Sequence, residues 1–362
     1  MLRKFFASKW GIIGTGAFIG VFAPLLQKWG NPGNMGVCVA CFERDIAGAL
    51  GMHRAEVVQY LRPEIIGFVL GALLAAYLFK EFRPRAGSAP IVRFVLGAFA
   101  MIGALVFLGC PWRAMLRLAG GDGNAIFGIL GLVAGIWVGT VFLRRGYNLG
   151  RAQETHTSVG WIMPLIMLGF LALMLLFPQV EGQDKTGVLF YSVKGPGSLH
   201  APLLISLGIG LAVGILAQRS RFCTMGAFRD LILFRQTHLL LGVLALVVVA
   251  FITNLLLQQF NPGFANQPIA HTMGLWNFGG MVLAGLAFSL AGGCPGRQLF
   301  LAGEGDGDAA VFVLGMITGA AFAHNFGLAS SPQGVGPHGI AAVAIGLLVC
   351  LFIGFTMRKK VA

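Results

Sequence analysis

Long apolar runs, broken by short polar, basic or Pro/Gly-rich stretches, fill most of the chain. Runs of 16–20 residues recur along its length. Each is long enough, or nearly so, to cross a bilayer as a helix, which takes about 20 residues. The pattern predicts spans at 11–29, 63–80, 93–109, 125–143 and 159–177, then at 201–217, 238–257, 273–292, 309–327 and 338–356. Between them lie four shorter segments that each carry a cysteine: 36–50, the stretch from Cys110, 221–235 and the stretch from Cys294. The expected fold class is an all-α polytopic membrane protein with about ten transmembrane helices and four short re-entrant helices.

Composition agrees with that pattern. The 362 residues are 57% hydrophobic and 11% charged, where a soluble domain carries about 25% charged residues. The 54 glycines suit helices that approach closely in lipid. A net charge of +13 in a soluble protein would point to nucleic acid. Here no basic stripe with interleaved aromatics is present, so nucleic acid is not an expected partner. The cations follow the loops instead. Arg3, Lys4 and Lys9 place the N-terminus in the cytoplasm, and the opening run is expected to be the first span, not a cleaved signal. If the four Cys segments dip in and return, loops 80–93, 144–158, 218–237 and the Arg358-Lys359-Lys360 tail are also cytoplasmic. External loops 258–272 and 328–337 then hold no Lys or Arg. The exception is 44–62, which places Arg44, Arg54 and Arg62 outside.

The chain also repeats itself. Gly109-Cys110-Pro111-Trp112-Arg113 runs on to Gly121-Asp122-Gly123-Asn124. Gly293-Cys294-Pro295-Gly296-Arg297 runs on to Gly305-Asp306-Gly307-Asp308. Over 109–135 against 293–319, 11 of 27 positions are identical without a gap. A second pair extends the repeat: Cys38 precedes Arg44-Asp45 and His53 at the spacings by which Cys223 precedes Arg229-Asp230 and His238. Five crossings separate one copy from the next, so the second is inverted in the membrane. The expected organisation is a first repeat over 1–150, a connecting span and external loop over 151–200, a second repeat over 201–330, and a C-terminal span with a basic tail over 331–362. Inverted repeats typify transporters, with the site at the midplane between halves.

Cys followed by Pro marks a helix start, because Pro is favoured at the first helical position. Cys110 and Cys294 are therefore expected at helix N-termini, where free N–H groups and the dipole favour an anion or a thiolate. The charge map brings Cys110 in from outside and Cys294 from inside, as two faces of one central site, with Cys38 and Cys223 as outer and inner relays. Arg113 and Arg297 lie in the first turn; they either touch substrate or hold the short helices. Arg44 and Arg229 are expected to pair with the acids beside them, and Asp122 and Asp306 to cap the next helix, unless Asn124 and Asp308 do so. Cys41 has no counterpart in the second half, and Cys350 is expected to pack. His53, His238 and His324 are candidates for proton handling. No metal site is expected, because the Cys38-x-x-Cys41 pair stands alone. Thiols with helix N-termini suit a soft anion or a reduced chalcogen. No Walker motif is present.

These residues resemble the YeeE/YedE family: Gly-Cys110-Pro-Trp-Arg113, Arg221-Phe-Cys223-Thr-Met-Gly-Ala-Phe-Arg229-Asp230 and Gly-Gly-Cys294. The resemblance implies an hourglass-shaped inner-membrane protein whose short helices meet at the centre. It implies uptake of thiosulfate or related sulfur compounds through a cysteine relay, carried here by Cys38, Cys110, Cys223 and Cys294. Cys-Pro-x-Arg with Gly-Asp-Gly is more similar to the branch associated with selenium metabolism. The family also implies a small cytoplasmic TusA-like sulfur-carrier protein as a partner. The expected function is uptake of a selenium- or sulfur-containing small anion, without a cofactor and without catalysis. The alternatives are thiosulfate uptake, or a membrane thiol relay that passes sulfur or selenium to a carrier without net transport.

Overall fold

The structure, a computed structural model, describes residues 5–358, so Arg3, Lys4, Lys359 and Lys360 lie outside the described residues. It is an all-α polytopic membrane protein. The first half contains α1 (Lys9–Lys28), the short α2 (Val39–Ala49), α3 (Pro63–Leu78), α4 (Pro90–Phe107), the short α5 (Pro111–Ala119) and α6 (Asn124–Arg144). A connecting helix follows, α7 (Thr157–Leu176). The second half contains α8 (Leu203–Ser220), the short α9 (Thr224–Phe234), α10 (His238–Leu256), α11 (Gly274–Ala291), the short α12 (Pro295–Gly303) and α13 (Gly307–Asn325), and α14 (Gly339–Thr356) closes the chain. Among the described residues, nine helical segments are long and apolar enough to cross a membrane. The tenth expected span, α3, is apolar but has 16 residues.

Proline sets several starts. Pro63, Pro90, Pro111 and Pro295 each occupy the first turn of their helix, where the missing N–H removes nothing from the ladder. The long helices then pair between the halves in parallel, with Gly16 against Gly242 and Gly20 against Leu246, and Gly131 against Phe278 and Gly135 against Val282. α1 lies on α10 and α3 on α8; α4 lies on α13 and α6 on α11; α4 and α11 pack on each other. The spacing from Cys38 to Cys223 is 185 residues, and from Cys110 to Cys294 it is 184. That shift carries α1 onto α8, α3 onto α10, α4 onto α11 and α6 onto α13. The α1–α10 and α3–α8 contacts are thus one contact made twice. Both depend on glycine: a β-carbon on Gly16 would collide with the Gly242 carbonyl, and one on Gly71 with the Leu211 carbonyl. Such backbone approach is how helices gain packing energy in lipid.

The short helices sit inside this frame. Every residue of α2 is buried, including Glu43, Arg44 and Asp45. Its repeat counterpart α9 is buried only over Thr224–Ala227. The chain reverses into α5 through Leu108, at φ 63, and into α12 through Gly292, at φ 87. Two small antiparallel ladders tie loops together: β1 (Arg85–Ala86) with β2 (Gln153–Glu154), and β3 (Lys185–Thr186) with β4 (Leu189–Phe190).

The exceptional basic loop is explained by its partners. Asp45 receives Arg44 at 2.7 Å and Arg62 at 2.6 Å, with all three buried. Arg62 also donates to the Leu199 and Pro196 carbonyls at 2.9 Å. Arg54 stacks on the Phe190 ring, 4.0 Å from its centroid. Arg44 and Arg62 are thus buried and paired, while Arg54 stays exposed beside Phe190. His53, from the same loop, stacks on His324 of α13 at 4.5 Å. One carboxylate therefore compensates two buried guanidinium groups. Asp45→Asn should destabilise the protein by about 3–5 kcal/mol, the usual cost of removing one partner from a buried ion pair. Thermal unfolding in detergent checks this, and an unshifted midpoint would contradict it.

Candidate thiol path and arginine cleft

A helix leaves its first backbone N–H groups without helical partners. All four short helices begin on a cysteine at the N-cap: Cys38 for α2, Cys110 for α5, Cys223 for α9 and Cys294 for α12. The Cys38 sulfur accepts from the Cys41 amide at 3.4 Å. The Cys223 sulfur accepts from the Gly226 amide at 3.2 Å. The amides of Ala40 and Arg113 face the Cys110 sulfur, and those of Thr224 and Arg297 face the Cys294 sulfur.

The sulfurs come together in pairs within each half. Cys38 Sγ lies 3.8 Å from Cys110 Sγ, and Cys223 Sγ lies 3.6 Å from Cys294 Sγ. All are free thiols. The two helix starts meet through the residues after the prolines. Gly296 lies under the indole of Trp112, and a β-carbon there would sit 2.9 Å from the ring. Phe222, Phe68 and Phe300 surround that indole at centroid distances of 5.5, 5.8 and 6.0 Å. The Trp112 indole N–H is buried and has no hydrogen-bond partner.

Arg113 and Arg297 occupy the same repeat position and have different surroundings. Arg113 is fully buried. It donates to the carbonyls of Leu108, Asn34, Pro268 and Ile269, and one of its nitrogens lies 3.9 Å from Cys41 Sγ. It fastens the left-handed Leu108 turn to the loop before α11. Arg297 reaches Glu304 at 3.4 Å. With Glu81, Arg83, Arg85, Arg221, Leu301 and Glu304 it lines a cleft of about 270 Å³.

Ion pairs tie the cleft together. Arg221 bridges Glu304 at 2.8 Å and Glu81 at 2.9 Å, and Arg219 holds Glu81 at 2.7 Å. Burial raises the Glu81 pKa, but the Arg219 and Gln218 hydrogen bonds and the Arg219 and Arg221 charges outweigh that and hold it below the ordinary carboxylate range.

The other candidate residues are placed as follows. Arg44 pairs with Asp45, and Arg229 with Asp230 at 2.8 Å. Asp122 receives Arg117 at 2.6 Å and accepts from the Asn124 amide. Asp306 caps α13 through the Ala309 amide and pairs with Arg85 at 2.8 Å. Asp308 instead binds the Gly87 and Ser88 amides. Cys350 is buried in α14. Sequence reasoning passed over Glu81, Arg85, Glu304 and Trp112. A signal was present: the two copies differ at Gly36/Arg221, Gly120/Glu304 and Trp112/Gly296. Those are the positions that line the cleft or separate the thiol pairs.

Exposure separates the cysteines. Cys223 keeps 6% of its surface, whereas Cys38, Cys41, Cys110, Cys294 and Cys350 keep 0–1%. N-ethylmaleimide on the folded protein should therefore modify Cys223 first, read by peptide mass spectrometry. Earlier labelling of Cys38 or Cys110 would contradict the closed state of the first half.

The family model described as sulphur transport matches residues 219–357. Over 102 residues the chain is 34% identical to the thiosulfate transporter TsuA of Spirochaeta thermophila, which is 27% of this chain and 29% of that protein. The match thus spans less than a third of that relative's length. The second half of the chain is thus similar to the sulphur transport family, which agrees with the likeness to YeeE/YedE proteins read from its cysteine motifs.

Proposed function

We propose that this protein carries a small sulfur- or selenium-containing anion across the cytoplasmic membrane, along a path marked by Cys38, Cys110, Cys294 and Cys223 in that order. The observation that carries the reading is the thiol geometry: two sulfur pairs, at 3.8 and 3.6 Å, each on the N-caps of two short helices. Thiols donate weakly to a terminal sulfur or selenium, while helix-start amides bind oxyanion oxygens. One site type thereby satisfies both ends of a thiosulfate-like ion. The similarity to a thiosulfate transporter makes thiosulfate the first substrate to test, with selenite and reduced selenium donors beside it.

Two halves of opposite orientation suit alternating access. The contacts made twice, α1 on α10 and α3 on α8, support that inverted arrangement. Both termini are then cytoplasmic, and the arginine cleft opens on the cytoplasmic side, since its loops 80–93 and 218–237 are the basic ones. Trp112 and its aromatic neighbours separate the outer thiol pair from the inner one, so passage requires them to move. A TusA-like carrier in the cytoplasm would be the acceptor. Arg44, Arg229, Asp122 and Asp306 support the short helices and make no substrate contact in this scheme.

Cys110→Ala and Cys294→Ala should each lower uptake of labelled thiosulfate or selenite about tenfold or more. That loss corresponds to ~1.4 kcal/mol, about one hydrogen bond to an anion. Uptake by cells that carry each variant, and by sealed liposomes with the purified protein, checks this. Unchanged uptake of every substrate in both variants would sink the relay.

A further inference from the structure

We propose that the arginine cleft beside Cys223 and Cys294 is a separate binding site for a small divalent oxyanion, held closed by Glu304 when no anion is bound. Its place in transport rests on the preceding reading; the binding itself does not.

The charge balance comes first. Four guanidinium groups line the cleft, from Arg83, Arg85, Arg221 and Arg297, against the carboxylates of Glu81 and Glu304. An excess of two positive charges faces a space of about 270 Å³. A water occupies about 30 Å³ of liquid, so the space admits a tetrahedral ion with several waters. Planar guanidinium forks match such oxyanions two oxygens at a time.

Glu304 has the form of a stand-in for the anion. It is 3% exposed and meets Arg221 at 2.8 Å, Arg297 at 3.4 Å and Arg85 at 3.9 Å. Two of these three contacts are longer than a good hydrogen bond. Of these three, Arg297 is the most weakly held: its hydrogen bond among the described residues is the 3.4 Å one. A mostly buried cation with donors to spare is costly unless an anion joins it.

The repeat supplies the control. Arg113, at the matching position, gives its donors to four carbonyls. Gly36 and Gly120 stand where the second half has Arg221 and Glu304. The first half therefore builds a lock where the second builds a charged cleft. Arg221 lies two residues before Cys223, and Arg297 three after Cys294, so an anion in the cleft is next to the inner thiol pair.

The purified full chain in detergent, at fixed ionic strength, should bind thiosulfate, sulfate and phosphate by calorimetry, with sodium chloride as the blank. Arg297→Gln and Arg221→Gln should each weaken binding about tenfold or more. Glu304→Gln should tighten it, a sign that a merely structural Glu304 would not give. Arg229→Gln, outside the cleft lining, should bind as the wild type does. Absence of binding in the wild type would overturn the proposal. So would unchanged binding in correctly folded Arg297→Gln and Arg221→Gln proteins, or an equal loss of binding in Arg229→Gln. Binding that persists in a protein without uptake activity supports the cleft and removes the transport reading alone.

Discussion

A membrane protein's interior offers no bulk water to a backbone N–H, so a helix that starts there must find a partner for its first turn. This chain starts four helices in its interior. Each start carries a cysteine at the N-cap. A sulfur is a weak acceptor, large and polarisable, and it satisfies an amide only in part. The amides of Cys41 and Gly226 settle for sulfur at 3.4 and 3.2 Å. The same weakness leaves room for a better acceptor to displace it. Oxygen caps such as Asp306 on the Ala309 amide, at 3.0 Å, close a helix start; sulfur caps leave one receptive. The fold around them, with glycine-lined pairs of helices, keeps the short helices fixed so that their starts remain paired.

The two halves share a backbone plan and diverge in their charges. In the first, Arg44 and Arg62 converge on Asp45, Arg117 pairs with Asp122, and Arg113 binds carbonyls. Each of these four arginines is buried and committed. In the second, Arg221 and Arg297 share Glu304 with Arg85 of the first half at lengthening distances, and α9 is largely open beyond its first turn. Duplication supplied the frame, and substitutions at a few positions made one side closed and the other open.

Much of this was legible in the sequence because it follows from periodicity and spacing. The apolar runs located the ten long helices to within a few residues, and Cys-Pro marked the starts of α5 and α12. The N-cap role of Cys38 and Cys223 was less visible, since no proline follows either residue; their helix starts depend on tertiary packing. The pairing of Cys38 with Cys110, in place of a direct meeting of Cys110 and Cys294, could not be read from one dimension. The basic 44–62 loop contradicted the charge rule for a physical reason. That rule counts exposed cations, and burial of Arg44 and Arg62 on Asp45 depends on contacts with the 196–199 segment that no local pattern shows.

Trp112 and Gly296 show why an inverted repeat has to break its own symmetry at the centre. Where two equivalent helix starts approach, the residue after the proline faces its own counterpart. Two tryptophans would not fit, because even a β-carbon on Gly296 would press the Trp112 ring at 2.9 Å. Two glycines would leave the outer and inner thiol pairs joined by an open gap. One large and one absent side chain fill the space once. The indole then closes the gap while its N–H stays unpaired among Phe68, Phe222 and Phe300. An unpaired buried donor costs about 1–3 kcal/mol, and on the proposed path an anion passing the indole would relieve that cost. In the proposed scheme, the asymmetry that packing requires thus gives the barrier a reason to yield to an anion.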